Sequence, residues 1–213
     1  MPYTDSDLAA LLDFNWYIIV SGNPDGYQYT HTDDRMWRKN RADVGHSFCI
    51  GVDLNRNFPI GWRTTGGSPT PCPDTYAGAA PFDQVEAAAW DQWIKDIRGI
   101  HLQLRAPRRY YFCVLAYGGG EISAVLSIHA YSQLLMPPWA TGRADGLPNE
   151  PPTIEYMTSV SNKMASKIEE THGKVYSVGQ SRDVVGYPAG GTTEDYAYDS
   201  DIGLGFHIVS QKT

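Results

Sequence analysis

Four short polar segments carry side chains that can do chemistry. They are Asn23–Tyr27, Arg35–Arg41, Gly51–Phe58 and Ser127–Gln133. Their arginine, asparagine and histidine side chains can pair with a carboxylate, offset a developing negative charge or bind a metal ion. Taken singly, the segments have plainer explanations. Arg56 then forms a surface ion pair with Asp53, Arg38 belongs to a solvated basic cluster, and His129 is a core residue.

In this order and at these spacings, the four segments resemble the carboxypeptidase A/B family of zinc metallocarboxypeptidases. The resemblance runs from about Leu11 to Gly99, resumes near Glu121 and fades after Asp199. It implies an α/β fold with a mixed, largely parallel central sheet and helices on both faces, here incomplete. It also implies a zinc-dependent, secreted, monomeric exopeptidase that removes C-terminal residues from peptides and proteins.

By the same resemblance, two segments supply groups that bind the end of the substrate. Asn55 and Arg56 match the family's carboxylate clamp, where a planar guanidinium gives two charge-assisted hydrogen bonds and an amide adds another. Arg38 matches the arginine that stabilises the oxyanion of the tetrahedral intermediate. We therefore expect these side chains to share one cleft.

Three further residues match positions around the bound C-terminal residue. Tyr131 matches an aromatic side chain of the outer subsites, with core packing as the alternative. Tyr187 lies in a glycine-rich loop and matches the family's mobile tyrosine, with an ordinary turn residue as the alternative. Glu194 matches the floor of the specificity pocket, where an acidic residue favours lysine or arginine at the substrate C terminus.

His129 matches the family's third zinc ligand. The other two ligands form a His-x-x-Glu pair upstream of residues 14–20 in the family, and no such pair occurs in this sequence. The general-base glutamate is expected near Val209, in a divergent tail (200–213), where His207 has no sequence support as a substitute. The resemblance thus predicts a family member that is inactive with these residues alone. The alternatives are a non-catalytic binder of peptide C termini and a truncated or mis-spliced product that does not fold stably.

The cysteines extend the resemblance and mark one departure from it. Cys49 and Cys72 match the family's disulfide pair and bracket the Asn55–Arg56 clamp, so the bond is expected to stiffen this loop. Cys113 has no counterpart and lies in a segment that changes from basic to aromatic. The family passes this point through a short connection. We therefore interpret residues 100–120 as an insertion, a retained intron translated in frame, within a single partial catalytic domain spanning 1–213.

Two apolar runs predict strands. Residues 14–20 are rich in β-forming side chains and lead into Ser21–Gly26, whose proline and glycine predict a tight turn. The nearly continuous apolar run Ser123–Ala130 predicts a strand covered on both faces, with His129 at its C-terminal end.

Apolar residues at helical spacing predict two helices. The first has Asp83 as its N-cap and Gly99 as its C-terminal stop. The second extends from about Thr153 to His172 and is closed by Gly173. Strands and helices therefore alternate along the chain.

Composition limits the class of protein. The chain has 213 residues, 42% hydrophobic and 19% charged, which suits one compact domain. Its net charge of −7 argues against nucleic-acid binding, which depends on lysine and arginine. The sequence has no run of roughly 18 apolar residues and no targeting signal at Met1, so no membrane partner is predicted. The exported location rests on the resemblance.

Overall fold

The structure is a computed structural model that describes residues 14–100, 113–118, 121–141, 153–200, 202 and 204–210. Six strands of this part form one sheet. They are β1 (Asn15–Ile18), β2 (Cys113–Gly118), β3 (Glu121–Ala130), β4 (Leu134–Met136), β5 (Ser177–Val178) and β6 (Gly205–Ser210). Their order is β1-β2-β3-β6-β4-β5, with β3–β6 and β4–β5 parallel and the other three pairs antiparallel. The predicted mixed sheet is confirmed.

Helices pack against this sheet, as predicted. They are α1 (Pro24–Thr32), α2 (Val85–Ile100), α3 (Ile154–His172), α4 (Ser181–Val184) and α5 (Thr193–Asp199), with a 3-10 turn at Leu54–Arg56. The helix α2 contacts β3, α5 contacts β3 and β6, and α3 contacts β4 and β5. Gly173 ends α3 with a positive φ of 65°, a conformation that glycine adopts without a Cβ penalty. None of the described helices has the length and apolar character to cross a membrane.

The turn predicted at Ser21–Gly26 is wrong beyond Asn23, because Pro24 begins α1. The Asn23 side chain accepts a hydrogen bond from the Gly26 N–H at 3.0 Å and so caps the helix. Proline suits the first helical position because its missing N–H would have had no partner there. Asn23 also donates to the Lys39 carbonyl at 3.1 Å, which ties α1 to the segment that carries Arg38.

Both ends of α2 differ from the prediction. The Asp83 carboxylate accepts from the Ala79 N–H at 2.6 Å and from Asn57 Nδ2 at 2.7 Å, so it holds the preceding loop. The helix begins two residues later, at Val85, and continues through Gly99 to Ile100. A glycine near a helix end permits termination but does not impose it.

Part of the predicted insertion is a strand. Residues 113–118 form β2, which pairs with both β1 and β3, and Ala116 lies opposite Trp16 on one side and Ala124 on the other. Residues 101–112 and 119–120 lie outside the described residues. That residues 100–120 are an insertion stays a prediction.

An aromatic cluster packs the 3-10 turn at Leu54–Arg56 against α5. The Phe58 ring lies 5.4 Å from Phe82, 5.3 Å from Trp90 and 5.7 Å from Tyr196, measured between centroids. Phe58 follows the 3-10 turn closely and Tyr196 lies in α5. The cluster is part of the main core, which also contains Ile94, Ile97, Ile122 and Val125. Core packing therefore sets the position of the turn relative to α5.

Candidate functional site

Asp53 joins Arg38 to the turn that carries Asn55 and Arg56. Its Oδ1 accepts a hydrogen bond from the Asn55 N–H at 3.1 Å, which caps the 3-10 turn. Its Oδ2 accepts from Arg38 Nε at 2.9 Å and forms an ion pair with Arg38 Nη2 at 2.7 Å. Asp53 and Arg56 are both buried and Asp53 pairs with Arg38, so the alternative of a surface Asp53–Arg56 pair is wrong. One carboxylate orients two functional segments.

The basic residues beside Arg38 do not form one solvated cluster. Lys39 is buried and donates to the Pro71 carbonyl at 2.7 Å. The Arg41 guanidinium stacks on the Tyr29 ring at 3.7 Å, a cation–π contact. Arg38 keeps 39% of its side chain exposed. Lys39 and Arg41 thus have structural contacts, and Arg38 remains partly accessible.

Tyr187 lies within electrostatic reach of Arg38. The pKa of Arg38 is raised, chiefly by the charge of Asp53, with burial opposing it and the Tyr187 phenol adding a smaller contribution. Tyr187 is 48% exposed in its glycine-containing loop. Tyr131 lies just beyond the C-terminal end of β3 and is 43% exposed. The roles assigned to both tyrosines stay predictions.

Arg56 is a buried cation whose hydrogen-bond partners are backbone carbonyls. Its Nη1 donates to the Asn55 carbonyl at 2.8 Å and its Nε to the Gly66 carbonyl at 3.2 Å. Among the described residues it forms no ion pair with a carboxylate, although it is 4% exposed. A guanidinium has five N–H donors, and two of those of Arg56 have acceptors among the described residues. The site is therefore suited to an incoming anion.

A glycine allows the loop before α5 to approach this turn. Gly191 has a φ of 75°, and a Cβ there would lie 2.3 Å from the Arg56 carbonyl oxygen. Its own carbonyl accepts from the Phe58 N–H at 3.1 Å. The close approach brings Glu194, at the start of α5, near Arg56.

The amide of Asn55 is held by Thr193. Asn55 Oδ1 accepts from both the N–H and the hydroxyl of Thr193 at 2.9 Å, so its Nδ2 faces His207 Nδ1 at 3.5 Å. That ring nitrogen lies closer, at 2.9 Å, to Glu194 Oε1. A single imidazole nitrogen cannot donate to a carboxylate and accept from an amide together. His207 Nδ1 therefore donates to Glu194, which leaves the Asn55 amide available to a ligand.

Glu194 is buried, and one of its two carboxylate oxygens has a described hydrogen-bond partner. Burial alone would raise the pKa of Glu194, but His207 and Arg56 outweigh it, so the pKa is lowered and the carboxylate is ionised at neutral pH. Its Oε1 accepts from His207. Its Oε2 is also buried and has no hydrogen-bond partner in the described part of the chain. An unsatisfied buried carboxylate oxygen favours binding of a donor.

The pKa of the neighbouring Asp195 is shifted in the opposite direction. It accepts from the N–H groups of Ala140 and Thr141 at 2.8 and 2.9 Å. Burial and then the charge of Glu194 raise the pKa of Asp195 well above its ordinary value. Asp195 thus supports the loop behind the site.

His129 lies against His207. The two rings stack with centroids 4.0 Å apart and planes at 22°, and His129 Nε2 lies 3.0 Å from Ser127 Oγ. Burial lowers the pKa of His129 well below its ordinary value, and the charges of His207, Arg38 and Arg56 add to this. The imidazole is therefore neutral, the form in which histidine binds a metal ion. The effect of the two arginine charges also places His129 near Arg38 and Arg56.

The predicted disulfide is present. Cys49 and Cys72 are bonded, with Cα atoms 4.9 Å apart, and the loop between them contains the 3-10 turn. Both sulfurs lie close to the His46 ring, and these three form the one group of potential metal ligands found among the described residues. Disulfide sulfurs are not thiolates, so this group does not bind zinc.

The described residues do not fit a complete zinc site. A metal ion binds an imidazole nitrogen in the plane of the ring, so the stacked rings of His129 and His207 do not direct their nitrogens at one ion. Val209, opposite His129 in the β3–β6 register, occupies the place expected for the general base, and its side chain is apolar. His129 is left as the single expected ligand.

Sequence reasoning missed His207. The sequence analysis considered His207 only as a substitute for the general base, whereas the structure places it between Glu194, Asn55 and His129. A signal was present, because side chains alternate along a strand and residue 207 shares a face with residue 209. The structure thus brings together Arg38, Asn55, Arg56, His129 and Glu194, and adds His207.

Comparisons with known proteins identify the family and the fold. A model of the zinc carboxypeptidase family matches residues 3–211. The chain is 34% identical over 200 residues to a zinc carboxypeptidase of Simulium vittatum, covering 91% of this chain and 55% of that protein. It is 34% identical over 188 residues to a carboxypeptidase B of Astacus astacus, covering 88% of this chain and 53% of that protein. The crystal structure of carboxypeptidase A from Helicoverpa armigera superposes with a TM-score of 0.72 at 27% sequence identity. The match covers 90% of this chain and 41% of that chain.

The mixed sheet and the flanking helices are those of a carboxypeptidase-like α/β protein. The chain belongs to the zinc carboxypeptidase family. It spans about half the length of the curated relatives above.

Proposed function

We propose that this chain binds the C-terminal residue of peptides and proteins, with Arg56 as the main group that holds the terminal carboxylate. The observation that carries the proposal is a buried guanidinium whose described partners are carbonyls alone. A carboxylate would accept two parallel hydrogen bonds from the N–H donors of Arg56 that these carbonyls leave unused. Arg56 thereby confers recognition of a free C terminus, the property that defines a carboxypeptidase.

Two neighbours support the same ligand. The Asn55 amide is oriented by Thr193 and not consumed by His207, so it can donate to a second carboxylate oxygen. Arg38, oriented by Asp53 and partly exposed, is assigned to the carbonyl that precedes the terminal residue. In catalysis this position stabilises an oxyanion.

The proposed substrate preference is for basic C-terminal residues. Glu194 is ionised, buried and close to Arg56, so a pocket ending at Glu194 offers a negative charge to the side chain of the bound residue. A lysine or arginine side chain satisfies this carboxylate, whereas an apolar side chain leaves it unpaired.

Binding without turnover is the behaviour that we expect of this 213-residue chain. Zinc is expected of the family, but the described residues offer His129 as the single expected ligand and Val209 at the base position. Peptide hydrolysis in this family requires a metal-activated water and a base. The Cys49–Cys72 bond supports an exported location, because disulfides persist in oxidising compartments.

The test is calorimetric titration of the chain with a peptide ending in lysine and with the same peptide amidated at its C terminus. We expect the amidated peptide to bind at least ten-fold more weakly, since a charge-assisted hydrogen bond contributes ~1.5–3 kcal/mol. Arg56→Gln should remove this difference, and Arg56→Lys should restore part of it. Arg35→Gln, at an exposed arginine, is the matched control and should bind like the wild type.

Equal affinities for the free and amidated peptides would contradict the proposal. Thermal unfolding of each variant shows whether a loss of binding comes from a loss of the fold. Metal analysis of the dialysed chain tests the zinc conclusion separately. One tightly bound zinc per chain would overturn the statement that these residues do not complete a zinc site.

A further inference from the structure

The Cys49–Cys72 disulfide has a histidine beside it. The two sulfurs and a ring nitrogen of His46 all lie within 4.8 Å of one another. Once reduced, the cysteines become thiolates, and two thiolates with one imidazole are ligands that suit zinc. We propose that reduction of this disulfide creates a zinc site formed by His46, Cys49 and Cys72. The site is independent of the proposed binding of peptide C termini.

The three ligands already lie close to the spacing that a zinc ion requires. Zinc binds sulfur at ~2.3 Å and imidazole nitrogen at ~2.0–2.1 Å, so the ligand atoms of a tetrahedral site lie roughly 3.5–3.8 Å apart. A ring nitrogen within 4.8 Å of both sulfurs therefore has to move by only about 1 Å. When the S–S bond is broken, the sulfurs separate by rotation of the two side chains. The Cα atoms of Cys49 and Cys72, which are 4.9 Å apart, do not need to move.

The His46 ring is held in place without a metal ion. Its Nδ1 accepts hydrogen bonds from the backbone N–H groups of Phe48 at 3.2 Å and of Cys49 at 3.1 Å. A nitrogen that accepts has a lone pair, and a metal ion can take it over from these two hydrogen bonds. His46 and Cys72 are exposed and Cys49 is half-buried, so a reductant and an ion reach the group from solvent.

Contacts other than the disulfide hold the two cysteines together. Beside the second cysteine, the Pro71 carbonyl accepts a hydrogen bond from Lys39 Nζ at 2.7 Å. Just after the first cysteine, the Gly51 N–H donates to the Ala42 carbonyl at 2.9 Å. Lys39 and Ala42 belong to the same short segment. Reduction therefore leaves both cysteines anchored to one stretch of backbone.

The zinc site forms in two chemical steps. A dithiol reductant first transfers two electrons to the disulfide, so the S–S bond breaks, Cys49 and Cys72 become thiols, and the dithiol becomes a disulfide. Zinc then displaces the two thiol protons into the solvent, and the two thiolates neutralise the charge of the ion. Three protein ligands leave a fourth position for water. The ion cross-links the loop that contains the 3-10 turn, as the disulfide does in the oxidised chain.

The test is a titration of the chain with Co²⁺ and then Zn²⁺, before and after reduction by a dithiol that is removed under exclusion of oxygen. Co²⁺ bound by thiolates absorbs in the near ultraviolet through charge transfer, and zinc displaces it. We expect the reduced wild type to bind one ion per chain with this absorption, and the oxidised chain to show no such absorption. The melting temperature of the reduced chain should rise with the zinc concentration, because binding to the folded state stabilises it.

Variants identify the ligands. The double variant Cys49→Ser/Cys72→Ser should lose the absorption, although it keeps Cys113. His46→Gln should weaken binding by no less than roughly ten-fold, which is the cost of losing even a group that only supports a metal ligand. His172→Gln, at an exposed histidine in the last turn of α3, is the matched control and should bind the ion like the reduced wild type.

Three results would overturn the zinc site. The first is a reduced wild type without the thiolate absorption. The second is equal affinity in His46→Gln and His172→Gln, which means that His46 is not a ligand. The third applies if circular dichroism shows that reduction unfolds the chain, because zinc should then restore the folded signal in the wild type and not in His46→Gln. Failure to restore it contradicts the proposed site.

Discussion

Replacing Asp53 by asparagine tests the link between the fold and the site. Asp53 accepts a hydrogen bond from Arg38 Nε at 2.9 Å, forms an ion pair with Arg38 Nη2 at 2.7 Å, and accepts a hydrogen bond from the Asn55 N–H at 3.1 Å. Asparagine has one oxygen, so if that oxygen keeps the bond to Asn55, its amide group faces the Arg38 guanidinium donor to donor. Asp53→Asn thus removes the ion pair at nearly constant volume.

The expected loss of unfolding free energy follows from these contacts. Each hydrogen bond to a charged group contributes ~1.5–3 kcal/mol when buried. The Arg38 side chain is 39% exposed, and water solvates it once the pair is broken, so we discount the sum to ~1–2 kcal/mol. For a chain of this size, that corresponds to a fall in Tm of roughly 2–8 °C.

The assay is urea unfolding followed by circular dichroism, with a thermal melt and a peptide titration on the same samples. Glu170→Gln is the matched control, because Glu170 makes a 3.4 Å ion pair with Lys167 on the surface and should change stability by less than ~0.5 kcal/mol. Peptide affinity should fall in Asp53→Asn and not in the control. If Asp53→Asn is as stable as Glu170→Gln, the Asp53–Arg38 ion pair does not hold the site together and the reasoning is refuted.

Three other perturbations test separate parts of the structure. Replacing Cys49 and Cys72 by serine should lower the unfolding free energy by ~3 kcal/mol, from the closure of a loop with a separation of 23 residues, and reduction of the wild type should match it. Phe58→Ala should lower the free energy of unfolding by ~3–5 kcal/mol in denaturant, because it removes the ring at the centre of the aromatic cluster. The control Phe48→Ala, at a residue that is 92% exposed, should change the free energy of unfolding by less than ~0.5 kcal/mol. Equal losses in the two variants would refute the assignment of Phe58 to the core. The raised pKa of Asp195 means that the folded state holds this proton more tightly than the unfolded state, so stability should be lost as pH rises from about 4 towards that raised pKa. Asp195→Asn should flatten the dependence of the unfolding free energy on pH by up to ~1.4 kcal/mol per pH unit. An unchanged slope in unfolding measurements between about pH 4 and 8 would contradict the raised pKa of Asp195.

Local patterns predicted the long elements because their signals are local. The apolar stripe and Gly173 predicted α3, and the apolar run at Ser123–Ala130 predicted β3. The start of α1 was mistaken for a turn, since a proline and a glycine after Asn23 suit either structure. The contact from Asn23 to the Lys39 carbonyl supports the helix, and it joins residues too distant for a local pattern to detect.

The sequence by itself determined the family, through the order of four motifs, and the Cys49–Cys72 pair followed from the same likeness. That likeness also predicted the roles of Arg38, Asn55, Arg56, His129 and Glu194, and those roles stay predictions. Tertiary structure decided which charges are buried and which are paired. Asp53 bonds to Arg38 and not to Arg56, and His207 meets Glu194 because β6 pairs with β3 while α5 packs on both. Burial and long-range pairing depend on how distant segments pack, and residue types alone do not specify that.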